Sequence, residues 1–211
     1  MTANTDLMTA LTIDSVTFMP LWRQEFSRQA GGTPRVADIG PSVWTAKIGA
    51  SKLSNVAARG AAALINKMNG SEGTFYVWDP RAQYPHADPA GTILGAATVT
   101  IYALDADTTK IRLAGLPVGY VITRGDKFSW DQGSSPVRRC LHEFSDSVTA
   151  DSNGRTAPTS VFPAIRAGAT TGLTVSLSRP AAEMMIVPGS YDFPSTGAVM
   201  SSISFTAIQI P

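Results

Sequence analysis

One stretch of this chain has the apolar spacing of an α-helix, and the sequence around it alternates as β-strands do. Between about residues 51 and 69, apolar side chains recur every three or four positions. The predicted buried face consists of Leu53, Ala57, Ala61, Leu64 and Met68, with Val56 and Ile65 widening it. Ser51 or Ser54 can cap the start, and Gly70 suits the left-handed residue after the last turn. Gly60 inside the helix favours its close approach to a sheet.

The remaining pattern is that of short strands separated by turns. Residues 97–104 and 110–113 flank an Asp-Ala-Asp-Thr-Thr loop, which predicts a hairpin. Residues 41–48 alternate as a strand, and residues 11–18 do so with one irregularity. Residues 21–28 fit either a helix or a strand. Many short strands at even spacing are typical of a sandwich or a barrel.

These elements predict a mainly β protein with one α-helix. The expected fold is a β-sandwich or split barrel packed by the helix, with a small β-barrel-like insertion. Linker composition near residues 89–91 and 167–168 divides the chain. Residues 1–91 and 167–211 then form the sandwich domain, and residues 92–166 form the insertion. Residues 1–10 lack a periodic pattern, which predicts a mobile tail or an arm that becomes ordered on a partner.

Composition excludes several functional classes. The formal charge is +1, so no general attraction to nucleic acid is expected. Charged residues make up 16% of the chain, against about 25% in typical soluble domains, which fits either a surface covered by partners or an ordinary Thr- and Ala-rich β protein. No apolar run approaches the ~20 residues of a membrane span, and no secretory signal is expected at the start. Cys140 is the only cysteine, and a buried structural thiol is predicted.

Residues that could carry catalysis are few. The two histidines are His86, in a proline-rich loop, and His142, in a predicted strand beside Glu143. Neighbouring strand residues point to opposite faces, so His142 and Glu143 do not form a catalytic pair. The sequence contains no Gly-x-Ser-x-Gly elbow and no phosphate-binding glycine motif. We therefore expect no enzyme activity, no catalytic residues and no cofactor.

Two aspartate-rich segments echo parts of a calcium loop. Asp105-x-Asp107 and Asp151-x-Asn153-Gly154 supply some oxygen ligands but lack the remaining ones. Because Asp, Asn and Gly are also common turn residues, we interpret both segments as turns and expect no metal site.

Two further motifs have ordinary structural interpretations. Arg124-Gly-Asp126 matches a cell-adhesion tripeptide, but in this position it predicts a turn between strands. Lys127, Arg138 and Arg139 form either a small basic patch or a solvated strand edge, and the edge is favoured.

The environment of the tryptophans distinguishes ordinary core packing from a carbohydrate-binding surface. They are dispersed along the chain, at Trp22, Trp44, Trp78 and Trp130. Core packing is expected for each of them. A carbohydrate-binding platform would instead expose one or two aromatic rings on one face.

Several short segments resemble the minor tail proteins of long-tailed bacteriophages. They are Ala-Gly-Gly-Thr-Pro-Arg-Val-Ala-Asp at 30–38, the alanine-rich helix, Gly-Thr-Phe-Tyr-Val-Trp-Asp-Pro-Arg at 73–81 with Tyr84 and Pro85, Gly-Tyr-Val-Ile-Thr-Arg-Gly-Asp at 119–126, Val-Phe-Pro-Ala-Ile-Arg at 161–166, and Arg179 with Pro180. The likeness extends from about residue 18 to residue 208. In size and organisation the chain is most similar to the distal tail protein.

This resemblance implies a structural protein of the virion that forms a ring, with six copies, around a DNA channel. The implied partners are other copies of the chain, the tail tube protein and the tip hub or baseplate. It implies assembly in the host bacterial cytoplasm, no specific nucleic-acid binding, no membrane insertion and no catalytic residues. Two alternatives remain: a receptor- or carbohydrate-binding module at the tail tip, and a small hydrolase that uses His86 or His142.

Overall fold

The computed structural model describes residues 3–28, 31–194 and 200–210. Within these residues the chain forms two helices and thirteen strands. The elements in chain order are α1 (Leu7–Ala10), β1 (Ser15–Arg28), β2 (Pro34–Ser54), α2 (Asn55–Lys67), β3 (Phe75–Trp78), β4 (Val99–Leu104), β5 (Lys110–Ala114), β6 (Val121–Ile122), β7 (Lys127–Gln132), β8 (Arg138–Phe144), β9 (Val148–Thr149), β10 (Thr159–Phe162), β11 (Thr174–Ser176), β12 (Ala181–Ile186) and β13 (Met200–Gln209). The predicted mainly β class is confirmed.

The first sheet has five antiparallel strands in the order β1-β2-β13-β12-β3. Its two edges are connected by Arg81, which follows β3. The Arg81 Nη2 atom donates a hydrogen bond to the Val16 carbonyl oxygen of β1 at 2.9 Å, and the Asp79 carboxylate accepts from Arg81 Nε at 3.2 Å. The sheet therefore curls into a half-barrel, around a core that includes Ile48, Phe75 and Phe205.

Helix α2 packs on this sheet with a face that shares Ala61, Ile65 and Met68 with the predicted one but is rotated away from Ala57. Ser54 is the N-cap and accepts a hydrogen bond from the Ala57 backbone N–H. The buried positions are Ala58, Ala61, Ala62, Ile65 and the following Met68. Leu53 is buried as a strand residue of β2, so counting the helical phase from it shifted the predicted face by one position. Val56 and Ala57 are exposed, and a Cβ atom on Gly60 would meet open space, so the predicted close packing at Gly60 was wrong.

The N-terminal segment is packed on the body, contrary to the predicted mobile tail. In α1, Leu7 and Met8 are buried, and Leu11 after it is buried as well. The Asn4 backbone N–H donates to the Thr74 carbonyl oxygen at 2.7 Å, so the segment extends the edge at β3. The first two residues of the predicted tail, and Ala30 of the phage-like segment 30–38, lie outside the described residues.

The second unit is a closed six-stranded barrel in the order β10-β5-β4-β11-β7-β8. It has its own core, in which Ile111, Leu113, Phe128 and Phe144 are fully buried. The predicted hairpin forms as β4 and β5. The barrel closes only through β11, which pairs with both β4 and β7 and lies beyond the predicted boundary at 166. The glycine near that boundary, Gly168, has a φ of 102° and marks a loop inside the unit.

The barrel and the sheet share a buried junction. Trp44 Nε1 of β2 donates to the Leu141 carbonyl oxygen of β8 at 3.1 Å, and the Trp44 ring meets Phe162 edge to face at 5.3 Å between centroids. Arg138 of the barrel also pairs with the buried Glu183 of β12 at 3.1 Å. These contacts fix the barrel against strands β2 and β12 of the sheet.

Strands β1 and β2 continue far beyond the sheet as a two-stranded hairpin. Their pairing runs from Ser15 opposite Gly49 to Arg28 opposite Pro34. The third strand, β13, pairs with β2 only between Thr45 and Ser54. We call the part without a third strand, residues 21–28 and 34–40, the ribbon. Residues 21–28 are thus strand, which decides the alternative left open by the sequence.

Candidate functional site

The ribbon has one apolar face. Strand β1 alternates without interruption, so Trp22 and Phe26 lie on the same face as Phe18, which packs against the core. Val36 lies directly opposite Phe26 in the register. The exposed fractions of Trp22, Phe26 and Val36 are 60%, 58% and 59%. The Arg28 guanidinium lies 5.8 Å from the Phe26 ring centroid, which places Arg28 on this face too.

The opposite face of the ribbon is more polar. It presents Arg23, Glu25, Ser27 and Arg35, with Ala37 opposite Glu25 and Leu21 at the end nearest the sheet. Ile39, which is 63% exposed, lies in the irregular part of β2 between Asp38 and Gly40. The register shifts twice near Arg23, which leaves extra residues in β2. Such bulges increase the twist of a hairpin and re-aim its side chains. The ribbon is therefore amphipathic and projects both faces into solvent.

An amphipathic two-stranded ribbon requires something to cover it. A hairpin without a third strand or a helix is marginally stable in water. Contiguous exposed apolar side chains on a folded domain mark interaction surfaces. The ribbon presents two aromatic rings and Val36 together, rather than apolar residues scattered singly. The strongest candidate for a functional surface is therefore the apolar face of the ribbon.

Two of the residues considered for catalysis, His142 and Cys140, are buried in the barrel. His142 is buried, stacks on Trp130 with 4.3 Å between centroids, and places Nδ1 2.8 Å from the Pro163 carbonyl oxygen. Since a carbonyl oxygen only accepts, Nδ1 carries the hydrogen. Burial lowers the pKa of His142 to about 4, with Arg166 adding to the effect, although the bond to Pro163 opposes it.

Burial also raises the pKa of the Cys140 thiol to about 11. The predicted buried thiol is confirmed, and a neutral thiol is a poor nucleophile.

His86 is separate from His142 and lies on an open groove. The groove has a volume of about 720 Å³ and is lined by residues of the loop after β3 and of the turn at 123–126, including Tyr84, His86 and Arg124. The buried Asp126 carboxylate accepts the backbone N–H groups of His86, at 2.8 Å, and Thr123, at 2.7 Å. The Arg-Gly-Asp segment is thus a turn, as predicted, and its carboxylate is already engaged inside the protein.

The two calcium-like segments are also turns. One Asp151 oxygen accepts the backbone N–H groups of Asn153 and Arg155, and these two bonds hold the pKa of Asp151 below its usual range. Asp107 binds the hydroxyl and the backbone N–H of Thr109, which lower its pKa in the same way. Within the described ranges, no group of three His, Cys, Asp or Glu side chains is placed to hold a metal ion.

The cations of the predicted basic patch are each paired with a carboxylate. Lys127 lies 3.2 Å from Glu143, and Arg139 binds Asp131 at 2.7 Å. The third cation, Arg138, makes the junction pair described above. They therefore contribute to β7–β8 pairing and to the junction, and the favoured interpretation as a solvated edge was wrong.

The tryptophans divide unequally between core and surface. Trp44 and Trp130 are buried and Trp78 is half-buried, in agreement with core packing. Trp22 is exposed, so the expectation of core packing was wrong for this residue. Its strand continues past the last residue of β13 that could cover it, which no local sequence signal reveals.

Comparisons with known proteins do not identify the chain. No known protein family matches it, and no curated protein matches it either. Among the described residues, no helix is both long and apolar enough to cross a membrane.

Proposed function

We propose that this protein is a structural component of a phage tail tip. It forms a ring, with six copies, that connects the tail tube to the tip hub or baseplate around the DNA channel. The observation that carries the proposal is the ribbon, an element whose apolar face has no partner within the described part of the chain. The resemblance to distal tail proteins supplies the identity of the assembly and the number of copies.

The rest of the chain supports an assembly role over a catalytic one. His86 and His142 lie in different environments, one on a groove and one in the barrel core. The barrel is docked on the sheet by Trp44 and by the Arg138–Glu183 pair, so the ribbon projects from a firmly joined body. A rigid body with one extended element that has an exposed apolar face is suited to holding neighbouring subunits in a fixed position.

A receptor- or carbohydrate-binding module at the tail tip is the second candidate. Trp22 and Phe26 are exposed on one face, and such aromatic rings can stack on sugars. Val36 lies opposite Phe26 on the second strand, and an aliphatic neighbour suits a protein partner better than a sugar ring. The ring proposal therefore has priority.

Electron microscopy of assembled tails tests the proposal. We expect six copies of the chain in a ring at the distal end of the tube, with the ribbons buried in protein contacts. A single central copy, or a copy in a peripheral fibre, would contradict it. The double variant Trp22→Ala with Phe26→Ala should stop tail assembly. Normal tails that fail only to adsorb to cells would favour the binding module instead.

A further inference from the structure

On the apolar face of the ribbon, the pair Phe26 and Val36 is flanked by opposite charges. Phe26 and Val36 form the central cross-strand pair. Two residues toward the sheet, Asp38 lies on this face, and two residues toward the end of the hairpin, Arg28 lies on it. From the sheet toward the end of the hairpin, this face thus presents Trp22, then Gln24 beside Asp38, then Phe26 beside Val36, and then Arg28 beside Pro34.

These two charges have no ion-pair partner among the residues that the structure describes. Neither Asp38 nor Arg28 takes part in the ion pairs formed by the residues that the structure describes. Arg28 is opposite Pro34, four residues before Asp38 on β2. At about 3.4 Å per residue, the two charges are roughly 13 Å apart along the strand. Their interaction within one ribbon is therefore weak, and both remain available to a partner.

We propose that the ribbon packs face to face with the ribbon of a second copy of this chain. A twofold axis near Phe26 and Val36 would bring the two apolar centres together. The same axis places Asp38 of each copy against Arg28 of the other copy. Two ion pairs then flank one apolar centre, a self-complementary arrangement of the kind that a twofold contact requires. This match of the face with itself selects a second copy as the occupant.

The size of the contact suits a weak dimer. With about 200 Å² for a whole aromatic side chain, Phe26 at 58% exposure offers roughly 120 Å² per copy. Trp22 lies four residues from Phe26 toward the sheet, so it extends beyond the flanking ion pairs and is not counted. Val36 and the flanking residues add to this area, and the total stays below the ~1,000 Å² of a stable interface.

This contact is additional to the contacts of a ring. A twofold contact closes with two copies, whereas a ring requires unlike surfaces to meet head to tail. The inference rests on the ribbon and not on the tail-tip assignment. A ring found without paired ribbons would refute the inference alone, and paired ribbons in a protein found outside tails would refute the proposed function alone.

Charge-swap variants studied by sedimentation equilibrium test the inference. The parent protein should show a monomer–dimer equilibrium below about 1 mM. Asp38→Arg and Arg28→Asp should each raise the dissociation constant about tenfold or more, because each puts like charges together twice. The double variant Asp38→Arg with Arg28→Asp should restore the parent's value to within about threefold. Arg35→Asp, on the opposite face, is the matched control and should leave dimerisation unchanged.

A parent that stays monomeric throughout, or a double variant that dimerises no better than the single ones, would overturn the inference. Thermal unfolding verifies that each variant is folded, and the exposed positions of these side chains make that the expected result. If the parent forms larger particles, each single reversal should halve their mass and the double variant should restore it, because loss of a twofold contact divides an assembly into halves.

Discussion

Acid should destabilise this protein through His142, and replacing His142 by Phe should remove that part of the effect. Folding buries the neutral imidazole, so the folded state binds its proton less readily than the unfolded state. The stabilisation from this group is complete above the unfolded pKa of 6.5 and is lost as the pH falls toward the folded value of about 4. Each pH unit between these values costs about 1.4 kcal/mol. The loss between pH 6.5 and about pH 4.5 is therefore about 2–3 kcal/mol.

Urea unfolding at several pH values measures this effect. Near pH 7.5 the His142→Phe variant should be less stable than the parent by about 1–3 kcal/mol, because the Pro163 carbonyl oxygen loses its donor. That deficit should shrink or reverse near pH 4.5, since phenylalanine keeps an aromatic ring beside Trp130 but cannot be protonated. His86→Gln, at an exposed histidine, is the control and should follow the parent. Equal losses for the parent and His142→Phe on acidification would refute the reasoning.

Two matched pairs of variants test the packing of the helix and of a turn by denaturant titration. Ile65→Ala removes a side chain that is 4% exposed and should lower the free energy of unfolding by about 2–4 kcal/mol. Val56→Ala, at 83% exposure, should lower it by less than about 0.5 kcal/mol. Similar losses for the two variants would show that the helix face is assigned wrongly. Gly115 and Gly119 both have positive φ angles, but only at Gly115 would a Cβ atom collide with backbone, the Thr98 carbonyl oxygen. Gly119→Ala should therefore cost about 1–2 kcal/mol and Gly115→Ala at least about 2 kcal/mol more, and equal costs would contradict the steric argument.

The sequence was sufficient to predict the helix but not its exact orientation. Three- and four-residue spacing and a serine cap are local signals, and both are present in α2. The orientation depends on which residue begins the helix. Leu53 has the right spacing to belong to the helical face, yet it pairs with Ser201 as a strand residue. Pairing with β13, about 150 residues away in the chain, decides this point, and a local pattern contains no information about it.

The packed N-terminal segment was missed for a related reason. Leu7, Met8 and Leu11 have helical spacing, but a four-residue helix is too short to stand out among polar neighbours. Its stability comes from tertiary contacts, namely the burial of Leu7 and Met8 and the backbone bonds of Asn4 at the edge of β3. Short elements held by such contacts are poorly predicted by periodicity, whereas a turn such as that at Asp151 is fixed by its own side chain and was predicted correctly.

The exposure of the aromatic residues of the ribbon could not be predicted from the sequence. Once residues 21–28 are known to be strand, alternation along β1 places Trp22 and Phe26 on the core-facing side, in line with the core packing expected for Trp22. Whether they are buried depends on how far β13 accompanies β2, and that pairing stops at Thr45. Beyond this point the core face continues as a strand surface that none of the described residues covers. An apolar pattern that continues past its sheet is thus identical, in sequence, to a core strand, and only the topology reveals the difference.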